Sequence, residues 1–174
     1  MADLIELVRP SVPALRRYAR SMVRDHTWAD DLVQECLEHA IDHWHERKNE
    51  GDPRAWLFSI VHNLAISQLR QSRRRGLHTG FDEAAAAAPA RAPTQEHGLR
   101  HAELLRALGE LSEDHRAVLF LISVEGLSYA EVGEVLQIPI GTVMSRLSRA
   151  RQSLAVLLEP EPARNRRPTL RRLK

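Results

Sequence analysis

The sequence holds no sustained alternation of apolar and polar residues, which excludes a half-buried sheet as its framework. Aromatic residues are scarce, with three Trp, two Tyr and three Phe in 174 residues. Proline and glycine are modest in number. What remains is apolar residues at helical spacing almost throughout, so the expected class is all-α. The single cysteine, Cys36, cannot close an internal disulfide, and it sits in an apolar helical stripe. That fits a reducing cytosol. No signal-peptide pattern or membrane-length apolar run is present, so a soluble cytoplasmic protein is expected. The length suits one large or two small domains, each with a modest core.

A net charge of +2 hides an uneven distribution. The stretch Glu159–Lys174 carries six basic and two acidic residues, so the remainder is slightly acidic. Within that remainder the first fifty residues are acid-rich and Arg70–Arg75 is strongly basic. Such asymmetry implies two kinds of surface, one for nucleic acid and one for protein.

The most informative stretch is Leu127–Arg151. Ser128 followed by Glu131 is a capping box, where a helix can start. Tyr129, Val132 and Leu136 make one apolar face, with Val135 beside them. Pro139 has no amide hydrogen and restricts Ile138, so the first helix breaks there. A second helix follows, with Val143, Leu147, Ala150 and Leu154 inward and Thr142, Ser145, Arg146, Arg149 and Arg151 outward. A short helix, a tight turn and a second helix with an Arg/Ser/Thr face is the pattern of a DNA-reading helix-turn-helix. An ordinary helical hairpin is the plainer alternative.

Upstream, Leu4, Leu7 and Val8 begin a helical face, and a helix is expected from about Ser11 to Arg24. Thr27 with Asp30 is the expected cap of the next helix, Trp28 to about Trp44. Its inward residues are Val33, Leu37, Ala40 and Trp44, with Leu32 and Cys36 beside them. Asp31, Gln34, Glu35 and Glu38 face outward, either as a solvated acidic face or as a docking surface. His39, His43 and His45 cluster, but no further ligands are fixed, so a solvent-facing group is expected and no metal. Asp52-Pro53 then caps and starts a helix to about Arg75. It should bury Leu57, Ile60, Val61 and Leu64 and present Ser59, His62, Asn63, Ser67, Arg70, Arg73 and Arg74. Such groups suit phosphate and base contacts together. Trp56, near its start, suits either stacking on an unpaired base or the core.

Residues 76–97 contain glycines, an alanine run, Pro89 and Pro93, and are expected to form a flexible linker. This divides the chain into domains at 1–75 and 98–158, with a basic disordered tail at 159–174. In the second domain one helix is expected from Leu99 to about Leu111. The next spans Ser112–Glu125, with Val118, Leu119, Ile122 and Ser123 placed to pack, and Gly126 ends it.

Together the halves resemble the extracytoplasmic-function (group 4, sigma-70 family) sigma factors of bacterial RNA polymerase. The first half resembles sigma domain 2 through Asp30-Asp31-Leu32-Val33-Gln34-Glu35 and Pro53–Ala65. The second resembles the helix-turn-helix sigma domain 4 through Leu127–Val132 and Pro139–Arg151. The resemblance implies that Asp31, Gln34, Glu35 and Glu38 dock on the β′ clamp helices of core polymerase. It implies that Asn63 and its neighbours on the same face read and open the −10 element. It implies that Arg146 and Arg149, with Thr142 and Ser145, read the −35 element in a domain that also meets the β flap. Promoter DNA and an anti-sigma factor are further implied partners. Met144 stands where the family usually has Lys or Arg, so one DNA contact is missing. Cys36 stands in place of the more typical Thr or Ala.

A promoter-specificity subunit is therefore the expected function, without a cofactor or a catalytic centre of its own. A sigma-like decoy that sequesters an anti-sigma factor would not need the DNA faces. A stand-alone helix-turn-helix regulator would leave the first half unexplained. An enzyme fits least, because no His, Cys and carboxylate set converges at catalytic spacing.

Overall fold

The computed structural model describes residues 6, 8–46, 52–76 and 95–159, the side chains of 95–99 excepted. Most of the expected linker, the tail beyond 159, and Leu4 and Leu7 lie outside the described residues. Seven α-helices are present among the described residues: α1 (Val12–Val23), α2 (His26–Asp42), α3 (Pro53–Arg74), α4 (Gln95–Glu110), α5 (Glu113–Ser123), α6 (Tyr129–Leu136) and α7 (Ile140–Leu158). Short 3-10 turns precede α1 at Arg9–Ser11 and follow α2 at Trp44–Glu46.

The first three helices form a bundle. Prolines at the start of α1 and α3 fall where a missing N–H costs nothing. Asp52 caps α3 by accepting from the Arg54 N–H at 2.9 Å. The cap of α2 is Asp25, which accepts from the Trp28 N–H at 2.8 Å, not Thr27 as expected. Asp25 is in extended geometry just after Arg24, whose φ of 61° ends α1 in the left-handed conformation. The chain thus turns two residues earlier than the local pattern suggests. Leu15, Tyr18, Leu32, Cys36, Leu57, Phe58 and Val61 have no exposed surface. Tyr18 packs edge-on to Phe58 at 5.5 Å. Each such large side chain contributes roughly 1.5–3 kcal/mol by leaving water.

The second bundle comprises α4–α7. Helix α4 begins at Gln95, four residues before the expected start. Ser112 caps α5 through the His115 N–H at 3.3 Å. Val118, Leu119 and Leu121 are buried, whereas Ser123 is exposed, contrary to expectation. Gly126, at φ 71°, adopts a geometry few side chains tolerate and turns the chain into α6. The capping box is present in both directions: Ser128 Oγ accepts from Glu131 N–H, and Glu131 Oε2 accepts from Ser128 N–H at 2.7 Å. Those bonds, the side-chain one foremost, hold the Glu131 carboxyl below its ordinary pKa.

Val132 and Val135 are buried in α6, but Tyr129, expected on the same face, is 38% exposed. In the turn Gln137 takes a left-handed φ of 54°, and the Ile138 N–H bonds Gly133 O at 3.0 Å. A Cβ on Gly133 would stand 3.0 Å from the carbonyl oxygen of Ile138, so glycine lets the turn close this tightly.

The two bundles pack on each other rather than standing apart. Buried residues of both halves belong to one hydrophobic cluster, with α3 against α6 and α1 against α5. The polar part of the contact centres on two residues. Arg116 of α5 is buried, and its five N–H donors reach five carbonyl oxygens. Two are Ser21 and Met22 at the end of α1, and three are Leu108, Gly109 and Leu111 at the end of α4, at 2.8–3.2 Å. Glu125 is the second. Its side chain is fully buried between Arg17 Nη2 at 3.0 Å and Arg54 Nη2 at 3.1 Å.

Candidate nucleic-acid interface

Helix α3 presents its polar side along one groove. Asn63, Ser67, Arg70, Arg73 and Arg74 are exposed. Ser59 is half-buried, and its hydroxyl donates to the Trp56 carbonyl at 2.7 Å. Trp56 is also half-buried and meets Trp44 edge-on at 5.9 Å, so one side of its ring packs while part remains accessible.

His62 lines the same groove as Asn63 and Ser67 but is partly buried. Its Nδ1 lies 2.8 Å from the Tyr18 hydroxyl. Burial holds its pKa down at about 4, against a smaller upward pull from Asp114. The ring is therefore neutral at pH 7 and shares a hydrogen bond with the hydroxyl of Tyr18, whose own pKa burial pushes up.

Helix α7 is positioned by Val143, Leu147 and Ala150, all buried as expected, while Leu154 is half-buried. Ser145, Arg149 and Arg151 are exposed and Thr142 is half-buried. The Ser145 hydroxyl donates to the Thr142 carbonyl at 3.1 Å. Arg146 differs from Arg149 three residues on. It is largely covered and pairs with Asp114 at 3.0 Å. A groove of about 980 Å³ runs between the bundles, lined by Asn63, Ser67, Arg70 and Arg74 from α3, Asp114 from α5 and Arg146 from α7. Arg73 also closes an ion pair across it, with Glu113. Arg146 and the α3 set are thus brought together, while Arg149 and Arg151 point elsewhere.

The acidic side of α2 is a separate surface. Asp31, Gln34, Glu35 and Glu38 are all exposed, and Gln34 Nε2 donates to Glu38 Oε1 at 3.1 Å. Ile41, 50% exposed, extends that face by one turn and was missed at the sequence level. Its place three residues after Glu38 on the same helix was the available signal. His39 and His43 stack 4.2 Å apart, with His45 exposed nearby.

Two domain families match the chain in order. Residues 8–62 match the family described as the Sigma2 domain of PhyR, and residues 101–154 match Sigma-70, region 4. The ECF RNA polymerase sigma factor EcfG of Rhodopseudomonas palustris is 35% identical over 148 residues, covering 85% of this chain and 81% of the relative. The chain belongs to the ECF RNA polymerase sigma factors. SigL of Mycobacterium tuberculosis, another ECF sigma factor, is 33% identical over 83% of this chain and 82% of its own length. Among solved structures, the sigma factor RpoE of Bartonella quintana, in complex with the anti-sigma factor NepR, aligns with a TM-score of 0.75. It is 33% identical, over 92% of this chain and 99% of that one. The bundle α1–α3 is accordingly sigma domain 2, and α4–α7 is sigma domain 4. No helix among the described residues is long and apolar enough to cross a membrane.

Proposed function

We propose that this ECF sigma factor binds core RNA polymerase in the cytoplasm and directs it to promoters with paired −10 and −35 elements, under the control of an anti-sigma factor. In this reading Asp31, Gln34, Glu35 and Glu38 dock on the β′ clamp helices. Asn63, Ser67, Arg70, Arg73 and Arg74 meet the −10 element, with Trp56 and Ser59 at the head of the same helix. His62, which lines the same groove, joins them while its Nδ1 bonds Tyr18. Thr142, Ser145, Arg146, Arg149 and Arg151 meet the −35 element. Membership implies a subunit that positions polymerase, which itself performs the phosphoryl transfer.

The observation that carries the reading is the presence of both sigma domains on one chain, in order, each with an exposed polar or basic helix face. Control by an anti-sigma factor is supported by the structural likeness to RpoE, which was solved with one. The test is transcription in vitro with core polymerase on a pool of genomic promoters. The expected result is a small set of transcripts that depend on this chain. Core polymerase giving the same transcripts with and without it would sink the reading.

The first half matches the Sigma2 domain of PhyR, an anti-anti-sigma factor solved in complex with the anti-sigma factor NepR, which favours a decoy as the second reading. A decoy would bind an anti-sigma factor and fail to bind core polymerase. The basic groups on α3 and α7 have no use in it.

A further inference from the structure

The outward side of α7 carries different chemistry on its two edges. Ile140 opens the helix and Met144 lies one turn on, and each keeps 49% of its surface in water. Residues four apart stand one above the other on a helix, so the two form a single apolar edge. At about 100° per residue, Ser145 falls between that edge and Arg149. The core of the bundle does not need the pair, since Val143, Leu147 and Ala150 fill it from the inner side. Neither residue lines the groove between the bundles. A Cβ on Gly141, between them in sequence, would meet nothing within 4 Å, so the surface around this turn is open.

The pair sits at the end of the helix that meets base edges. In a helix-turn-helix the first residues of the second helix reach the bases. Pro139, the N-cap of α7, offers no side-chain hydrogen bond, and the first turn holds no acidic residue. That suits a phosphate at the helix N-terminus, which would set the first turn against the groove of the duplex. In the major groove only thymine presents an apolar group, its C5 methyl. Opposite the amino group of cytosine or adenine, or the carbonyl of guanine, an apolar side chain would strip water from a polar group and return no hydrogen bond. Met144 is unbranched, with a polarizable sulfur, and can adapt its shape to a methyl.

We propose that Ile140 and Met144 are specificity-determining residues that read thymine in the −35 element through its C5 methyl. This rests on the assignment of α7 to the −35 element and adds the base that its apolar edge selects. One exposed apolar residue is ordinary on any protein surface. This pair is set apart by its register and by the end of the helix it occupies. The −35 element therefore contains at least one A·T pair, in addition to the position that Arg149 reads.

The test uses holoenzyme assembled from core polymerase and the full chain, on the promoter it transcribes most strongly. Each thymine of the −35 element, on either strand, is replaced in turn by deoxyuridine, which removes only the methyl. At one position at least, wild type should lose roughly three- to fivefold in promoter affinity, the size expected for one buried methyl. Met144→Ala should lose about as much on the natural promoter and then be indifferent to the replacement at that position. Ile140→Ala should behave in the same way at that thymine or its neighbour. Alanine favours helix, so neither change disturbs α7. Met144→Leu, apolar and of similar reach, should keep the wild-type response. Arg149→Ala should keep it too, at lower overall affinity. Deoxyuridine without effect at every position overturns the proposal, as does a −35 element built of G·C pairs alone. Alanine variants that weaken binding but keep the wild-type response to the methyl also overturn it and assign the pair to a protein contact. Transcription by the holoenzyme in any of these cases leaves the sigma-factor reading standing. A chain that supports no transcription on any promoter removes that reading, and the proposal with it.

Discussion

The Tyr18 hydroxyl and Nδ1 of His62 lie 2.8 Å apart, joining α1 to α3 beneath the groove. This pair makes stability depend on pH. The His62 pKa is about 4 when folded, below its ordinary value of 6.5. Above pH 6.5 the ring is neutral in both states and its contribution is complete. As pH falls from 6.5 towards 4 only the unfolded chain takes up the proton, so stability is lost across that window. The loss is at most about 3 kcal/mol. Urea unfolding at pH 7 and pH 5 should show wild type losing stability. His62→Gln, which can still hydrogen-bond Tyr18 but does not titrate, should lose less. Equal losses in the two proteins would remove His62 as the cause.

Arg116 should be the most costly single side chain to remove. Its five hydrogen bonds satisfy carbonyls at the C-terminal ends of both α1 and α4, where helix carbonyls lack partners. Burial lowers its pKa to about 10, with Arg24 adding to the fall and Glu113 opposing it, so it remains charged at neutral pH. Arg116→Met should destabilise by about 3–5 kcal/mol, because several buried acceptors lose their donor together. Arg116→Lys should recover only part, having three donors in place of five. Denaturant midpoints of the three proteins decide this, and a loss below about 1 kcal/mol for Arg116→Met would contradict it.

What was legible in the sequence was local. Ser128 with Glu131, and Asp52 with Pro53, announce helix starts because cap chemistry is read within three residues. Val143, Leu147 and Ala150 announce a buried stripe by their period. Thr27 was misread as a cap because Asp25 does the same chemistry, and only the left-handed turn at Arg24 decides between them. Tyr129 has the spacing of a core residue, but it opens the helix, where less structure lies over it. The contacts that join the bundles were beyond reach. Arg17 and Glu125 are 108 residues apart, and no periodicity says which distant carboxylate an outward arginine meets. The bond between His62 and Tyr18 was out of reach for the same reason, since the two lie 44 residues apart.

The acidic face of α2 should carry binding to core polymerase. Glu35 is exposed and takes no part in the core, so Glu35→Lys should leave the fold intact. Reversing a charge at a complementary interface should weaken binding by at least tenfold, roughly 1.4 kcal/mol. Ile41→Ala tests the apolar extension of the same face and should weaken binding less. Helicity by circular dichroism and affinity by titration against labelled core polymerase check both. Undiminished affinity in Glu35→Lys would place the docking surface elsewhere.

Arg149 and Arg146 should separate in their effects, although they lie three apart on α7. Arg149 is exposed, whereas Arg146 is held by Asp114 at 3.0 Å beside the α3 set. An arginine can bond guanine bidentately, and such a contact discriminates by about 1–3 kcal/mol. Arg149→Ala should therefore lower transcription from the cognate promoter and relax preference at one or two −35 positions. Arg146→Ala should also relax −35 preference. It alone should in addition free Asp114, and with it loosen the packing of the bundles, read as faster proteolysis of the free chain. Arg151 lies further round the helix and suits a phosphate, so Arg151→Ala should weaken binding evenly across sequences. Met144, 49% exposed on this helix, supplies no charge there. Met144→Lys should then steepen the salt dependence of binding by about one phosphate contact. Transcription from a promoter library with each variant distinguishes these roles. If Arg149→Ala keeps the −35 preference of wild type, the base contacts come from another part of α7, with the exposed Ser145 and Met144 turn the next to test.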